Sequence, residues 1–152
     1  MARIFLISCV SQKLDYRAKA RDLYISTLFR YSLRYAESQK HDKIFILSAE
    51  YGLLSLEKDV DPYDVTLSQV PKKKREENPK LKVLSREERK EWANKVLNQL
   101  REEANLDKDE FIFLAGRRYR EFLLPYLAQK PEIPMEKLSI GKQLEWLKER
   151  VK

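Results

Sequence analysis

Glycine is nearly missing from this chain: three residues, at 52, 116 and 141, in a sequence of 152, where average usage of about 7% would give about ten. A chain that spares glycine so strictly is expected to keep each one for a backbone position other residues cannot hold, which makes the three useful landmarks. Cysteine and histidine are scarcer still, one of each, Cys9 and His41. A single cysteine excludes an intrachain disulfide framework, and one cysteine with one histidine falls short of the usual Cys/His zinc sites. No apolar run approaches the ~18–20 residues of a membrane span, and Met-Ala-Arg followed by apolar residues 4–7 is too short for a secretory signal. These absences predict a soluble, cytoplasmic protein in a reducing compartment, with no membrane partner.

Charge, by contrast, is abundant. Charged residues are 36% of the chain against a typical ~25%, a usage that suits a thermophile's surface. Lys and Arg number 31 against 24 Asp and Glu, a formal net charge of +7. The split is 10 basic to 9 acidic residues over 1–70, 11 to 8 over 71–107 and 10 to 7 over 108–152, so the excess lies beyond residue 70. Such a balance permits a polyanionic partner. The length suits one domain over 1–152, burying roughly 68–70% of the unfolded chain's surface.

Three short, nearly unbroken apolar runs, at 3–7, 43–47 and 110–115, have the pattern of strands covered on both faces. Tyr24, Thr27, Leu28, Tyr31 and Tyr35 follow helical spacing and predict a helix over 20–39. Ser85 and Glu88 read as a capping box that opens a second helix with Trp92, Val96 and Leu100 on its buried stripe. A segment over 119–128, kinked at Pro125, and a final helix with Ile140, Leu144, Leu147 and Val151 on one face complete the pattern. The alternation predicts a single α/β domain of three layers with a small, mostly parallel sheet flanked by helices. Leu53 to Leu56 offers a further short strand. Residues 68–84, with two prolines and the run Lys72-Lys73-Lys74-Arg75, read as a long, solvated, basic loop.

Ligands of open α/β sheets bind beyond the carboxyl ends of the strands. The first run ends in Ser8-Cys9 and a polar loop with Lys13, the second in Ser48-Ala49-Glu50-Tyr51-Gly52, the third in Ala115-Gly116-Arg117-Arg118-Tyr119-Arg120. A parallel sheet brings these to one rim, where Ser8, Cys9, Lys13, Ser48 and Glu50 are the candidate catalytic residues. Cys9 is either a nucleophile whose thiolate is favoured by Lys13 or Arg21, or a small buried apolar residue. Glu50, at a strand end before a glycine turn, is the candidate acid/base, or else a surface glutamate. His41 belongs to the opposite rim, as a solvated turn residue. The acidic stretch from Glu57 to Asp64 lacks calcium-loop spacing and reads as turns and caps, so no metal is expected. Neither a G-x-G-x-x-G nor a Walker-type phosphate loop is present, and no cofactor is expected. Ser139-Ile140-Gly141-Lys142 opens the last helix with groups that suit an anion or a simple cap.

Ser8-Cys9 with Lys13, Ala20-Arg21 with Leu23-Tyr24 and Leu28-Phe29, Ser48-Ala49 with Gly52-Leu53-Leu54, Pro62-Tyr63-Asp64 with Thr66-Leu67, Ala115-Gly116 with Tyr119 and a late Ile140-Gly141 together resemble the YaaA superfamily, and most closely its small domains of unknown function. The resemblance runs from Ser8 to Trp146 in one order, in a chain much shorter than YaaA itself. It implies an association with DNA binding and with peroxide stress or nucleic-acid maintenance, with no reaction assigned.

Nucleic acid or a nucleobase is therefore the expected partner, and protein partners are unknown. Lys72, Lys73, Lys74, Arg75, Arg117, Arg118 and Arg120 are the candidate phosphate contacts. Tyr24, Tyr51, Tyr63 and Tyr119 are candidate stacking or pocket residues with Gly52, Gly116 and Gly141, a stacked base being worth about 1–3 kcal/mol. Four neutralised phosphates on a duplex give a log–log salt slope of about −3.6. The alternative is an enzyme that acts on a nucleobase, nucleoside or similar small substrate by glycosyl or group transfer.

Overall fold

The computed structural model describes residues 1–151. In chain order they form β1 (Arg3–Ser8), β2 (Ala18–Lys19), α1 (Ala20–Leu23), α2 (Thr27–Ser38), β3 (Lys43–Ser48), β4 (Gly52–Ser55), β5 (Asp59–Val60) and β6 (Val65–Thr66), then α3 (Lys72–Glu77), β7 (Lys82–Val83), α4 (Arg86–Glu103), β8 (Glu110–Leu114), α5 (Arg117–Arg120), a 3-10 turn (Leu124–Tyr126) and α6 (Ile140–Arg150). The three apolar runs become the adjacent strands β3, β1 and β8 of a four-stranded sheet ordered β4-β3-β1-β8. β1 pairs in parallel with both neighbours, Ile7 standing opposite Ile46 on one side and Leu114 on the other. β4 returns antiparallel to β3, so the α/β sheet is mixed. Ile4, Phe5, Leu6 and Ile7 are all at most 1% exposed. Because successive side chains point to opposite faces, this is why β1 needs an unbroken apolar run.

The tight β3–β4 connection depends on Gly52, whose φ of +77° is left-handed. Gly116 and Gly141 have no such need: their φ values are not positive, and a Cβ at either would have no neighbour within 4 Å. The expectation that every glycine fills an obligatory backbone position holds only for Gly52.

α4 forms as its sequence predicts. The Ser85 hydroxyl accepts from Glu88 N–H (3.2 Å), the Glu88 carboxylate accepts from Ser85 N–H (3.0 Å), and Trp92, Val96 and Leu100 are buried. The helix expected over 20–39 is instead two. After Leu23 the chain leaves helical geometry and pairs around Tyr24 with the loop after β1, through Leu14 N–H to Leu23 O (2.9 Å) and Ile25 N–H to Gln12 O (3.0 Å). α2 then restarts with Ser26 capping Phe29 N–H (3.1 Å). This break turns Tyr24 into the core, where it is 1% exposed.

Three further expectations are corrected. The 68–84 segment is not one long loop. Pro71 precedes α3, built from good helix formers, and β7 pairs in parallel with β6 (Val65 opposite Lys82). Residues 71–80 remain exposed throughout. Over 119–128 the chain makes only the end of α5 and the 3-10 turn, with Pro125 supplying no N–H at that point. In α6, Leu147 is fully buried while Ile140 is 70% exposed. Trp146 packs its ring edge against Tyr35 of α2, centroids 5.0 Å apart, while Ile140, on the face of Leu144 and Leu147 but at the first position of the helix, is left uncovered. Among the described residues no helix is long and apolar enough to cross a membrane.

Candidate functional site

The chain leaves β1 toward β3 on one side and later returns to place β8 on the other. The connections therefore diverge above β1, the position where open sheets leave a crevice. A cavity of about 660 Å³ occupies it, lined by the ends of β1 (Ile7–Val10) and β8 (Leu114–Gly116), by Phe29 and Ser32 of α2, and by residues 64–66 around β6. Lys74 and Glu77 of α3 and Asn78 line it from the outer edge of the fold, where every residue from 71 to 80 is solvent-exposed. Its inner wall is apolar, and Ser8, Cys9, Lys13, Asp64, Thr66 and Tyr119 supply polar atoms.

Cys9 sits one residue past β1, where its N–H donates to Leu47 O (3.0 Å) and extends the ladder to β3. The residue is 6% exposed. Its Sγ accepts from Ala49 N–H (3.4 Å) and donates to the Tyr119 hydroxyl (3.4 Å). The Tyr119 hydroxyl also accepts from Leu67 N–H (3.3 Å) and lies 3.3 Å from Thr66 Oγ1, and its ring meets Trp92 edge-on at 5.8 Å. One thiol and one phenol thus tie β1, β6 and α5 together.

Behind this wall is a second polar group of residues. The Tyr24 and Tyr63 hydroxyls are 2.6 Å apart, and the fully buried Ser48 donates to Tyr63 (2.8 Å) while accepting from Tyr51 N–H (3.0 Å). Lys13 Nζ stands 4.4 Å from the Tyr63 ring centroid and 5.8 Å from that of Tyr24, a cation–π arrangement. Burial pushes the Lys13 ammonium below its ordinary value, with Cys9 and Asp64 acting in the opposite sense. Burial also pushes the phenols of Tyr24, Tyr63 and Tyr119 up, in each case reinforced by Cys9. The site therefore offers an amine more easily deprotonated than a free lysine, a thiol, and phenols that stay protonated as hydrogen-bond donors.

Of the predicted catalytic residues, Ser8, Cys9 and Lys13 line the cavity and Ser48 stands behind it through Tyr63. Glu50 is corrected: its carboxylate is on an exposed turn away from the cavity, and only its carbonyl is engaged, by Lys95 Nζ (3.3 Å). The tight turn that Gly52 closes carries Glu50 outward. Two of the stacking candidates are also corrected. Tyr24 and Tyr119, at 1% and 4% exposure, have their ring faces packed in the core. Tyr51 donates to Asp61 O (3.0 Å) and meets Tyr63 edge-on. Gly116 lines the cavity, whereas Gly52 and Gly141 do not.

The basic candidates separate as well. Successive residues of a helix point about 100° apart, so of Lys72, Lys73, Lys74 and Arg75 only Lys74 lines the cavity. Arg118 donates to Leu67 O (3.4 Å) and Arg120 to Ala115 O (3.0 Å). Arg117, its side chain 85% exposed, lies 3.8 Å from Glu121. Arg117 and Arg120 belong to a second cavity of about 590 Å³ on the other side of Gly116, over Phe113, Ile133 and Leu138. The acidic stretch is used in surface pairs, Glu57 with Lys19 and Arg21, and Asp61 with Arg17. His41 lies before β3, its Nδ1–H donating to Gln39 O (2.8 Å).

Thr66, Asp64, Ser32 and Gln143 line the main cavity without having been proposed as site residues from the sequence. Thr66 ends the two-residue strand β6 and Asp64 just precedes it, a stretch too short for a period to register; Ser32 is hidden in a helical stripe. The shared order of Asp61-Pro62-Tyr63-Asp64 and the residues after it was the one signal available.

No curated protein matches the chain, and no solved structure does. One family model matches, in two segments over residues 4–80 and 78–149. Together they span β1 to α6 and both cavities, so the chain belongs to the family of unknown function DUF6884.

Proposed function

We propose that this protein binds a nucleobase or nucleoside, free or as part of a nucleic acid, in the cavity at the carboxyl ends of β1 and β8. The observation that carries this reading is the cavity itself. Its volume of about 660 Å³ falls within the roughly 300–1,000 Å³ of small-molecule sites. It joins an apolar wall for a planar ring to Ser8, Lys13, Thr66 and Tyr119, which suit the polar edge of a base. Lys74 at its mouth is placed for one phosphate. The resemblance to the YaaA superfamily supports the same reading, with a three-layer α/β domain and a cytoplasmic role in stress response or nucleic-acid maintenance.

A second reading, group or glycosyl transfer on that ligand, is favoured by the lowered Lys13 ammonium beside Cys9. Lys13 would move the proton and Cys9 or Ser8 would act as nucleophile.

The test is a calorimetric titration with nucleosides, nucleotides and short single strands of DNA and RNA at 50 mM salt, followed by a turnover assay on every ligand that binds. Binding that weakens in Lys13→Met supports the site. Failure of the whole panel to bind overturns the reading.

A further inference from the structure

Two cavities meet at Gly116. The one of about 660 Å³ and the one of about 590 Å³ share Ala115, Gly116, Met135 and Gln143 as lining residues. Gly116 lines both, and its own conformation does not call for glycine: φ is −66° and ψ 163°, open to any residue. A Cβ there would meet nothing within 4 Å. The missing side chain leaves free space at the junction of the two cavities and relieves no strain in the backbone.

The second cavity differs in character from the first. Its floor is apolar, with Phe113, Ile133 and Leu138, and its edge carries three cations, Arg117, Arg120 and Lys137, against two carboxylates, Arg117 lying 3.8 Å from Glu121 and Arg120 3.9 Å from Glu136. Lys137 holds a left-handed backbone, φ +70°, a conformation that non-glycine residues seldom adopt. A flat apolar group with an anionic linkage beside it fits this combination.

We infer that the two cavities are two subsites of one groove, and that Gly116 is the gap through which a single ligand passes from one to the other. Resting on the reading above, this makes the ligand a nucleotide chain of at least two linked units: one base in the Cys9 cavity, a phosphodiester passing Gly116, and the next unit over Phe113 with Arg117 and Lys137 near the phosphate.

The experiment compares deoxyribo- and ribonucleosides with the corresponding dinucleoside monophosphates, on the wild type and on Gly116→Val and Lys137→Gly, with thermal denaturation as the control for folding. The wild type binds the dinucleoside monophosphate at least about tenfold more tightly than the nucleoside. Gly116→Val lowers that ratio by about tenfold, the scale on which one misplaced methylene in a fitted pocket discriminates. Lys137→Gly, which keeps the positive φ, lowers it by about fivefold through loss of a charge-assisted contact. A wild-type ratio near one, or a ratio unmoved by both substitutions in folded protein, overturns the two-subsite groove while leaving nucleoside binding intact. Absence of binding to nucleosides and dinucleoside monophosphates alike overturns the underlying reading and this inference with it.

Discussion

The Cys9 thiol and the Tyr119 hydroxyl lie 3.4 Å apart across a sequence separation of 110 residues, and Tyr119 accepts from the Leu67 amide at the same atom. That hydroxyl is the one polar atom common to the end of β1, the start of the 67–71 segment and α5. Tyr119→Phe leaves the buried Leu67 N–H without its acceptor and is expected to destabilise the fold by about 1–2 kcal/mol, read by chemical denaturation. It should also weaken ligand binding at the Cys9 cavity. Unaltered stability would show that the segment over the cavity is held by other contacts.

Four phenols are pushed up by burial, those of Tyr24, Tyr35, Tyr63 and Tyr119. In the unfolded chain they ionise near the ordinary value of about 10. Above that pH the unfolded state has lost protons that the native state keeps, so the contribution of these groups is complete below about pH 10 and declines as pH rises toward their native values. Spectrophotometric titration of the native protein should leave at least Tyr24, Tyr63 and Tyr119, of the eight tyrosines, un-ionised at pH 10.5, with denaturant releasing them. All eight titrating together near 10 in the native state would contradict the buried cluster.

Gly52 and Gly116 make a matched pair. Gly52→Ala forces alanine into φ +77° and brings its Cβ against Gln99 Oε1, the acceptor of Leu53 N–H (2.8 Å). A loss of about 2–3 kcal/mol is expected. Gly116→Ala, in open space with a negative φ, should lie within about 0.5 kcal/mol of wild type or be slightly more stable. Equal effects at both sites in thermal denaturation would refute the assignment.

Asp109 joins the start of the chain to the turn before β8, accepting from Ala2 N–H and Asn105 N–H, both at 2.8 Å. The Asn105 amide holds its carboxyl below the ordinary aspartate value, burial opposing it and Ala2 N–H adding to the lowering. Asp109→Ala should cost about 2 kcal/mol at pH 7. The ionic part is present above the ordinary aspartate value, about pH 3.9, and is lost as pH falls through the depressed native value. The gap between wild type and Asp109→Asn should therefore close on acidification, measured by urea titration from pH 6 to 2.

Much of the scaffold was legible in the sequence because its signals are local. Three runs such as Ile4 to Ile7 can be satisfied only by strands covered on both faces, and Ser85 with Glu88 closes its capping box within one helical turn. The site was legible as a location, since residues after a strand end share a rim in any parallel sheet. Ser8, Cys9 and Lys13 do line one cavity there. What failed was anything set by distant contacts. The helical period through Tyr24 was overridden by backbone pairing with Gln12 and Leu14, and the apolar face of α6 formed as its spacing predicts but was left uncovered at Ile140.

Glycine shows the division most clearly. The sequence by itself determined that three glycines stand near strand ends and a helix start, because their neighbours carry local patterns. Only the tertiary structure decided what each is for. Gly52 is required by its own φ, a property of the backbone at one residue, whereas Gly116 stands in space bounded by Met135 and Gln143, residues far along the chain. Local chemistry fixes conformation, but an empty volume exists only once the chain has folded around it.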